Sequence, residues 1–378
     1  MSNLKVIQLL PELNIGGVER GVCDLSKELV KRNHESFVIS NGGELEKNII
    51  NSGGNHINLP VHKKTITSFF LSKKLAEAYN EIKPDIIHIR SRIPAWINYF
   101  SMKMINFKKP ILISTFHGLY SKPFYSKIMA KTDHTIAISE TVLDYIVKNY
   151  NIKKEKISLI HRGCDHNTFY KKDIEESWLK KWYEDFPETK EKIILTLPGR
   201  ISRWKGHESF IKLIASLENS YHGLIVGPTA RNKNKYINEL TELTKKYDIE
   251  KNITFVGKRS DIENIYRLSD VVYNLSSKPE PFGRTTIEAI AVGSKVVGWN
   301  HGGTGEILSE LFCEGLVELN NKEDLKNTTI SVANSKNLPL KNTFTSEKMI
   351  NKTINLYEQI SLNESVSYTH LTLPTMYT

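Results

Sequence analysis

Short apolar runs, each followed by a loop and then by apolar residues at helical spacing, recur along almost the whole chain. Lys5-Val-Ile-Gln-Leu-Leu10 opens the series. Its apolar residues do not alternate with polar ones, as expected of a strand buried on both faces. Val18, Val22, Leu25 and Leu29 then mark one face of a helix predicted over Gly17–Lys31. Further strands are predicted at Ser36–Ser40, Ile57–Leu59, Asp85–Ile89, Ile111–Thr115, His134–Ile138 and Ile157–His161. Helices are predicted from about Glu44, over Ser72–Ile82 and from about Pro94. Strands that alternate with helices form a parallel sheet covered on both faces.

The series then starts again. Ile193–Leu197, Leu224–Val226, Ile253–Val256, Val271–Leu275, Lys295–Gly298 and Leu316-Val317 read as a second set of strands. Between the two sets the pattern breaks into charged and aromatic residues around Pro187. A chain of 378 residues also exceeds one ordinary core. The predicted fold is α/β, with two Rossmann-like doubly wound parallel-sheet domains facing a central cleft. The expected boundaries are a first domain at 1–168, a linker at 169–191, a second domain at 192–344 and a closing helix at 345–363. Residues 364–378 are polar and aperiodic, and they read as a non-native tail.

Composition excludes several classes. No apolar run approaches the roughly 18–20 residues that span a bilayer. Met1-Ser-Asn-Leu-Lys5 enters a strand without a signal-peptide layout. Cys23, Cys164 and Cys313 show no metal spacing and no even disulfide set, which suits reduced thiols in a cytoplasmic protein. The net charge of +10 is uneven: residues 60–134 hold thirteen Lys and Arg against four Asp and Glu. A basic face fits an anionic membrane, a phosphorylated glycolipid or a nucleic acid. A surface merely rich in lysine gives the same count.

In open α/β sheets, ligands bind beyond the carboxyl ends of the strands, so loops that follow strands are where chemistry is expected. Glu280-Pro-Phe-Gly-Arg-Thr-Thr-Ile-Glu288 is the most informative of them. It leads from a strand into a helix predicted over Thr285–Val292. One acid lies before the helix and one on its first turns. The N–H groups of Gly283, Arg284, Thr285 and Thr286 then form an anion-accepting helix start beside Phe282. Two acids around such a start suit a ligand with both hydroxyls and phosphate, such as a nucleotide sugar. The plainer account is a loop acid and a helix-end charge. Gly199-Arg200 and Lys205-Gly206 follow the first strand of the second set, so Arg200 and Lys205 can converge on a diphosphate. Gly16-Gly17 sits in the first strand-to-helix loop, where glycine allows close approach to a phosphate or simply makes a tight turn. His117, beside Gly118, can donate to a sugar or phosphate oxygen. Asn300-His-Gly-Gly-Thr-Gly305 is a further Gly-rich loop before Glu306. The Gly-x-Gly-x-x-Gly dinucleotide fingerprint is absent, which argues against an oxidoreductase.

These motifs, in this order and each after a strand in the matching half, resemble the retaining GT-B glycosyltransferases of family four, including those of bacterial lipopolysaccharide-core and glycoconjugate synthesis. The resemblance implies transfer of a hexose from a nucleotide diphosphate donor, UDP-sugar ahead of GDP-sugar, to a hydroxyl with retention of configuration. It implies that Glu280 contacts the donor sugar, Glu288 the ribose, and Arg200 with Lys205 the diphosphate. Gly17 then lies near phosphate and acceptor, and His117 near the sugar. No obligatory metal or cofactor is implied beyond the nucleotide-sugar co-substrate. Two positions depart from the family pattern: Arg284 stands where many members have an aliphatic residue, and Arg162-Gly-Cys-Asp165 replaces the common Asn-Gly-Val-Asp turn. The first bears on sugar choice and the second on the hinge.

The acceptor is expected to be a glycan or lipid-linked glycan. Trp96, Tyr99, Phe100, Met102, Met104 and Phe107 mix with lysines, as on a helix that lies against an anionic membrane surface. Packing of that helix on its own sheet explains the same pattern. The expected location is therefore the cytoplasm, with a peripheral contact at the inner membrane face, and no nucleic-acid partner is expected. The nucleotide base is expected near the loop after Val226 and the stretch Gly257–Arg259. The alternatives are a UDP-sugar epimerase of the same shape and a non-enzymatic polyanion-binding module.

Overall fold

A computed structural model of the chain describes residues 3–63, 68–121, 123–228 and 234–371. The chain forms two compact units, one made of residues up to His161 together with those from Ser346 onward, the other of Arg162–Thr345. In the first unit the strands are β1 (Lys5–Leu9), β2 (Glu35–Ser40), β3 (Asn55–Asn58), β4 (Ile86–Ile89), β5 (Ile111–Phe116), β6 (His134–Ala137) and β7 (Ile157–Leu159). They pair in parallel in the order β3-β2-β1-β4-β5-β6-β7. The uninterrupted apolar runs are explained by burial on both faces: every residue of β4 and β5 is buried.

The last helix, Ser346–Leu371, closes this first unit. Ile350, Ile354 and Tyr357 pack with Leu4, Val6 and Leu29 in one apolar core. The Tyr357 hydroxyl bonds Nδ1 of His88, and Nε2 of His88 lies 2.6 Å from Oγ1 of Thr115. The expected closing helix is therefore present. It continues to Leu371, through half of the stretch read as a tail. Residues 372–378 lie outside the described part.

In the second unit β8 (Ile193–Pro198), β9 (Tyr221–Val226), β10 (Ile253–Gly257), β11 (Val271–Asn274), β12 (Lys295–Trp299) and β13 (Leu316–Val317) form a six-stranded parallel sheet. Its order is β10-β9-β8-β11-β12-β13. Residues 169–191, expected as a linker, belong to this unit and carry the helix Glu176–Asp185. Trp182 of that helix is buried, stacks on Trp178 at 5.2 Å and donates to Oγ1 of Thr189 at 3.0 Å. Trp178 donates to Asp261 at 2.8 Å. The charges that suggested a connector lie on the outside of this docked helix, and Pro187 begins the short 3-10 turn that follows it.

Burial also fixes the charge state of three histidines. His88, His207 and His222 are almost wholly inaccessible. Burial pushes the His207 and His222 rings down to about 4 and holds His88 well below the usual imidazole value. A depressed value in the folded state means that acid protonates the unfolded chain first. The stability these rings contribute is complete above about 6.5 and is lost as pH falls towards 4. Urea unfolding should therefore lose about 1.4 kcal/mol per pH unit for each such histidine below pH 6.5. Replacing His222 with Asn should flatten that slope, and a midpoint constant from pH 7.5 to 5 would contradict the assignment.

Candidate functional site

Both sheets have a point where strand order reverses direction. In the second unit it lies between β8 and β11, since β9 and β10 extend to one side and β12 and β13 to the other. Such a point opens a crevice at the carboxyl ends of the two strands. The loops that leave β8 and β11 carry Arg200 with Lys205 and Ser276 with Glu280. The two loops are tied directly, for the Ser277 amide donates to the Trp204 carbonyl at 2.8 Å.

Gly206 makes this approach possible. Its φ is +82°, and a Cβ there would stand 2.1 Å from the Leu275 carbonyl oxygen. A side chain at residue 206 would push the Lys205 turn off the end of β11. With glycine there, Lys205 Nζ forms an ion pair with Oε1 of Glu280. The same oxygen accepts from Oγ of Ser276 at 2.5 Å. Glu280 is 8% exposed. Its backbone carbonyl accepts the Gly303 amide at 2.8 Å, and His301 Nε2 donates to the Ser276 carbonyl at 2.9 Å. The acid is thus fixed from three sides, and its second oxygen remains available as an acceptor.

Arg200 and Lys205 differ in this arrangement. Lys205 is committed to Glu280, whereas the Arg200 side chain is exposed and makes no bond or ion pair among the described residues. The Lys205 side chain passes beside Gly199, the residue before Arg200: a Cβ there would meet Cδ of Lys205 at 3.9 Å.

The helix after Glu280 runs Arg284–Ala291, with Gly283 at its N-cap in the left-handed region and no side chain capping it. Its free N–H groups keep the anion-accepting character expected of a helix start. Asn274 reaches Oγ1 of Thr285 at 3.4 Å and Oγ1 of Thr286 at 3.3 Å, which holds this first turn to the end of β11. Glu288 is 7% exposed and accepts from Arg284 at 2.8 Å. It also lies beside the buried Tyr266 hydroxyl, whose pKa burial and Glu288 raise. Phe282, expected among the donor-binding residues, lies in the loop before this helix. Its ring is buried edge-on against Phe344 at 5.8 Å, so the side chain supports the loop from behind.

Gly16, Gly17 and His117 belong to the first unit. Gly16 is the N-cap of helix Gly17–Lys31, and the Glu19 carboxylate folds against it: a Cβ on Gly16 would meet Oε2 at 2.1 Å. The Glu19 carboxylate thus lies against Gly16 at the start of this helix. His117 directly follows β5, and its amide lies 3.4 Å from the Tyr120 hydroxyl. Two of the three thiols are buried and held protonated: burial pushes Cys23 up to about 11 and Cys164 up to about 12, the latter helped by Glu288. Among the described residues no three His, Cys, Asp or Glu side chains are grouped to hold a metal. Part of the expected base-binding loop after Val226, residues 229–233, lies outside the described residues.

Sequence reading did not single out Ser276, His301 or Tyr266 as supports of the two acids. Spacing offers a clue only for Ser276, four residues before Glu280. The other two reach the site from separate helices and strands.

Residues 15–168 match the glycosyltransferase family 4 domain, and residues 180–350 match glycosyl transferases group 1. The chain is 24% identical over 315 residues to the N-acetyl-alpha-D-glucosaminyl L-malate synthase of Bacillus anthracis, covering 78% of each. It is 30% identical over 191 residues to the mannosylfructose-phosphate synthase of Agrobacterium fabrum, covering 48% of this chain and 41% of that one. The crystal structure of a glycosyltransferase from Rickettsia africae is similar over 95% of this chain and 99% of its own, at 29% identity and a TM-score of 0.82. Anabaena HepE, solved with UDP and glucose, shares the fold at 19% identity and a TM-score of 0.71, over 98% and 100% of the two chains. With two parallel α/β domains, an acid pair at the second switch point and both domain matches in order, the chain is a GT-B glycosyltransferase built from a family 4 domain followed by a group 1 domain.

Proposed function

We propose that the chain transfers a hexose from a nucleotide diphosphate sugar, with UDP as the favoured carrier, to a hydroxyl of a glycan or lipid-linked glycan such as a lipopolysaccharide core, with retention of configuration. The observation that carries this reading is the Lys205–Glu280–Ser276 cluster at the reversal of strand order between β8 and β11. Glu280 accepts from hydroxyls of the donor sugar, and Glu288 does so for the ribose. Arg200, Lys205 and the helix start at Gly283 take up the negative charge that grows on the departing diphosphate. The UDP preference is supported by HepE, a protein of the same fold solved with UDP and glucose. In a front-face reaction the leaving phosphate oxygen takes the acceptor proton as the new glycosidic bond forms, so no enzyme nucleophile is required.

Arg200 is the sharpest test because it is exposed and spent on no other group. Arg200→Ala should lower kcat by about 100–1000-fold, the usual effect of losing one preorganised partner of transition-state charge. UDP affinity, read by calorimetry, should change far less. Equal losses in both would make Arg200 a binding group only. Donor consumption without acceptor, yielding an epimerised UDP-sugar, would overturn the transfer reading itself.

The acceptor side is read from an aromatic and basic face on the first unit. Trp96 stacks on Phe100 and Tyr125, while Lys103 and Lys131 lie over the Tyr99 ring at 5.0 and 4.8 Å. Phe124 is 91% exposed beside this group. Exposed aromatic rings among lysines suit an anionic lipid surface. The chain should float with vesicles containing anionic phospholipid at low salt and be released as salt rises. Phe124→Ser should weaken flotation, and no flotation at low salt would exclude a membrane-bound acceptor surface.

A further inference from the structure

The first sheet has its own reversal of strand order, between β1 and β4. Arg90 stands there, directly after β4, with its amide on the Leu9 carbonyl at 2.9 Å. Its guanidinium donates to Oε1 of Gln8 at 2.7 Å. Gln8 is wholly buried and spends its own amide on the Val22 carbonyl at 3.0 Å, so it is a fixed, neutral partner. The Nε of Arg90 is shut off from solvent and has no acceptor among the described residues. No described carboxylate pairs with this cation.

Its surroundings do not supply the missing charge. His88 lies nearby and is kept neutral by burial, by Arg90 and by His117. Both His88 ring nitrogens are already engaged, by Tyr357 and Thr115. Arg92, two residues on, adds a second cation: it lies 4.7 Å over the Tyr120 ring and reaches Ser126 at 3.3 Å. Burial lowers the pKa of Arg90, and the Tyr357 hydroxyl only partly offsets this. A guanidinium remains charged in proteins and carries five donors in a planar fork. Partly buried and with one neutral acceptor, it is destabilising unless something anionic arrives. That fork matches a carboxylate or a phosphate in bidentate fashion.

We propose that Arg90 binds the anionic group, carboxylate or phosphate, of the acceptor substrate at the carboxyl ends of β1 and β4. This rests on the reading that the first unit receives the acceptor. Anion binding and nucleotide binding are separable measurements, so each claim can fail alone.

The test is thermal unfolding of the full chain with saturating UDP, which fills the donor side, at constant ionic strength held with chloride. Inorganic phosphate and malonate are titrated as probes. A saturable rise of about 2–4 °C is expected for the parent chain and for Arg200→Ala. Arg90→Met should show no rise, and Arg90→Lys a reduced one. A larger response to phosphate assigns a phosphate monoester, and a larger response to malonate assigns a carboxylate. Without probe, Arg90→Met removes an uncompensated charge but also strands the buried Oε1 of Gln8, so its melting point is read together with the anion response. A lower melting point for Arg90→Met with the anion response intact would make Arg90 a structural donor to Gln8 and overturn the proposal. So would the absence of a saturable response in the parent chain. If UDP itself fails to stabilise the parent, the nucleotide-sugar reading falls, while the anion titration without UDP still decides the role of Arg90.

Discussion

The ion pair between Lys205 and Glu280 governs the second unit's working edge. It joins the ends of β8 and β11 across the reversal of strand order. Drawing two charges out of water is expensive, and an apolar pair of similar volume would often be as stable. The pair's worth is in placement. Glu280 cannot swing, because Ser276 holds the same oxygen and Gly303 holds its backbone. Lys205 cannot leave without stranding a nearly buried carboxylate. Gly206 is therefore as constrained as either charge, since it lets the Lys205 turn come within reach of β11.

The first unit contains the complementary arrangement. Where the second unit has an acid paired with a cation, the first has in Arg90 a cation with no acid among the described residues. His88 is locked between Tyr357 and Thr115, and Gln8 is committed to a helix carbonyl. The polar groups of Gln8, His88 and Thr115 are thus taken up by neighbours, while the Nε of Arg90 has no acceptor among the described residues. One edge presents a buried, paired acid and the other a partly buried cation.

Much of the fold is legible in the sequence because parallel strands buried on both faces are written as unbroken apolar runs. The helix starts are legible because glycine marks them, as at Gly16 and Gly283. What escaped was side-chain direction and long-range partnership. The aromatic residues around Trp182 are plain in the sequence, but their stacking into a docked helix depends on facing Asp261 and Thr189, so the stretch reads as a connector. Phe282 reads as part of a ligand loop, and only its contact with Phe344 reveals that it faces inward. Arg90 is not singled out by the sequence, because its isolation depends on Tyr357, far along the chain, taking up His88. Glu280 and Glu288 were legible as acids around a helix start, while their fixed partners came from four different elements.

The final helix has a consequence for how the chain is made. Its residues Ile350, Ile354, Leu356 and Tyr357 complete a core whose other buried members are synthesised first. On the ribosome, the first sheet must therefore wait, with one face bare and His88 lacking its hydroxyl partner, until the entire second unit has emerged. The second unit is contiguous and can fold as it appears. The order of maturation is thereby inverted: the half made first finishes last. A prematurely terminated product would carry a complete second unit and an unfinished first unit, with the exposed apolar face that quality-control proteases and holdases recognise.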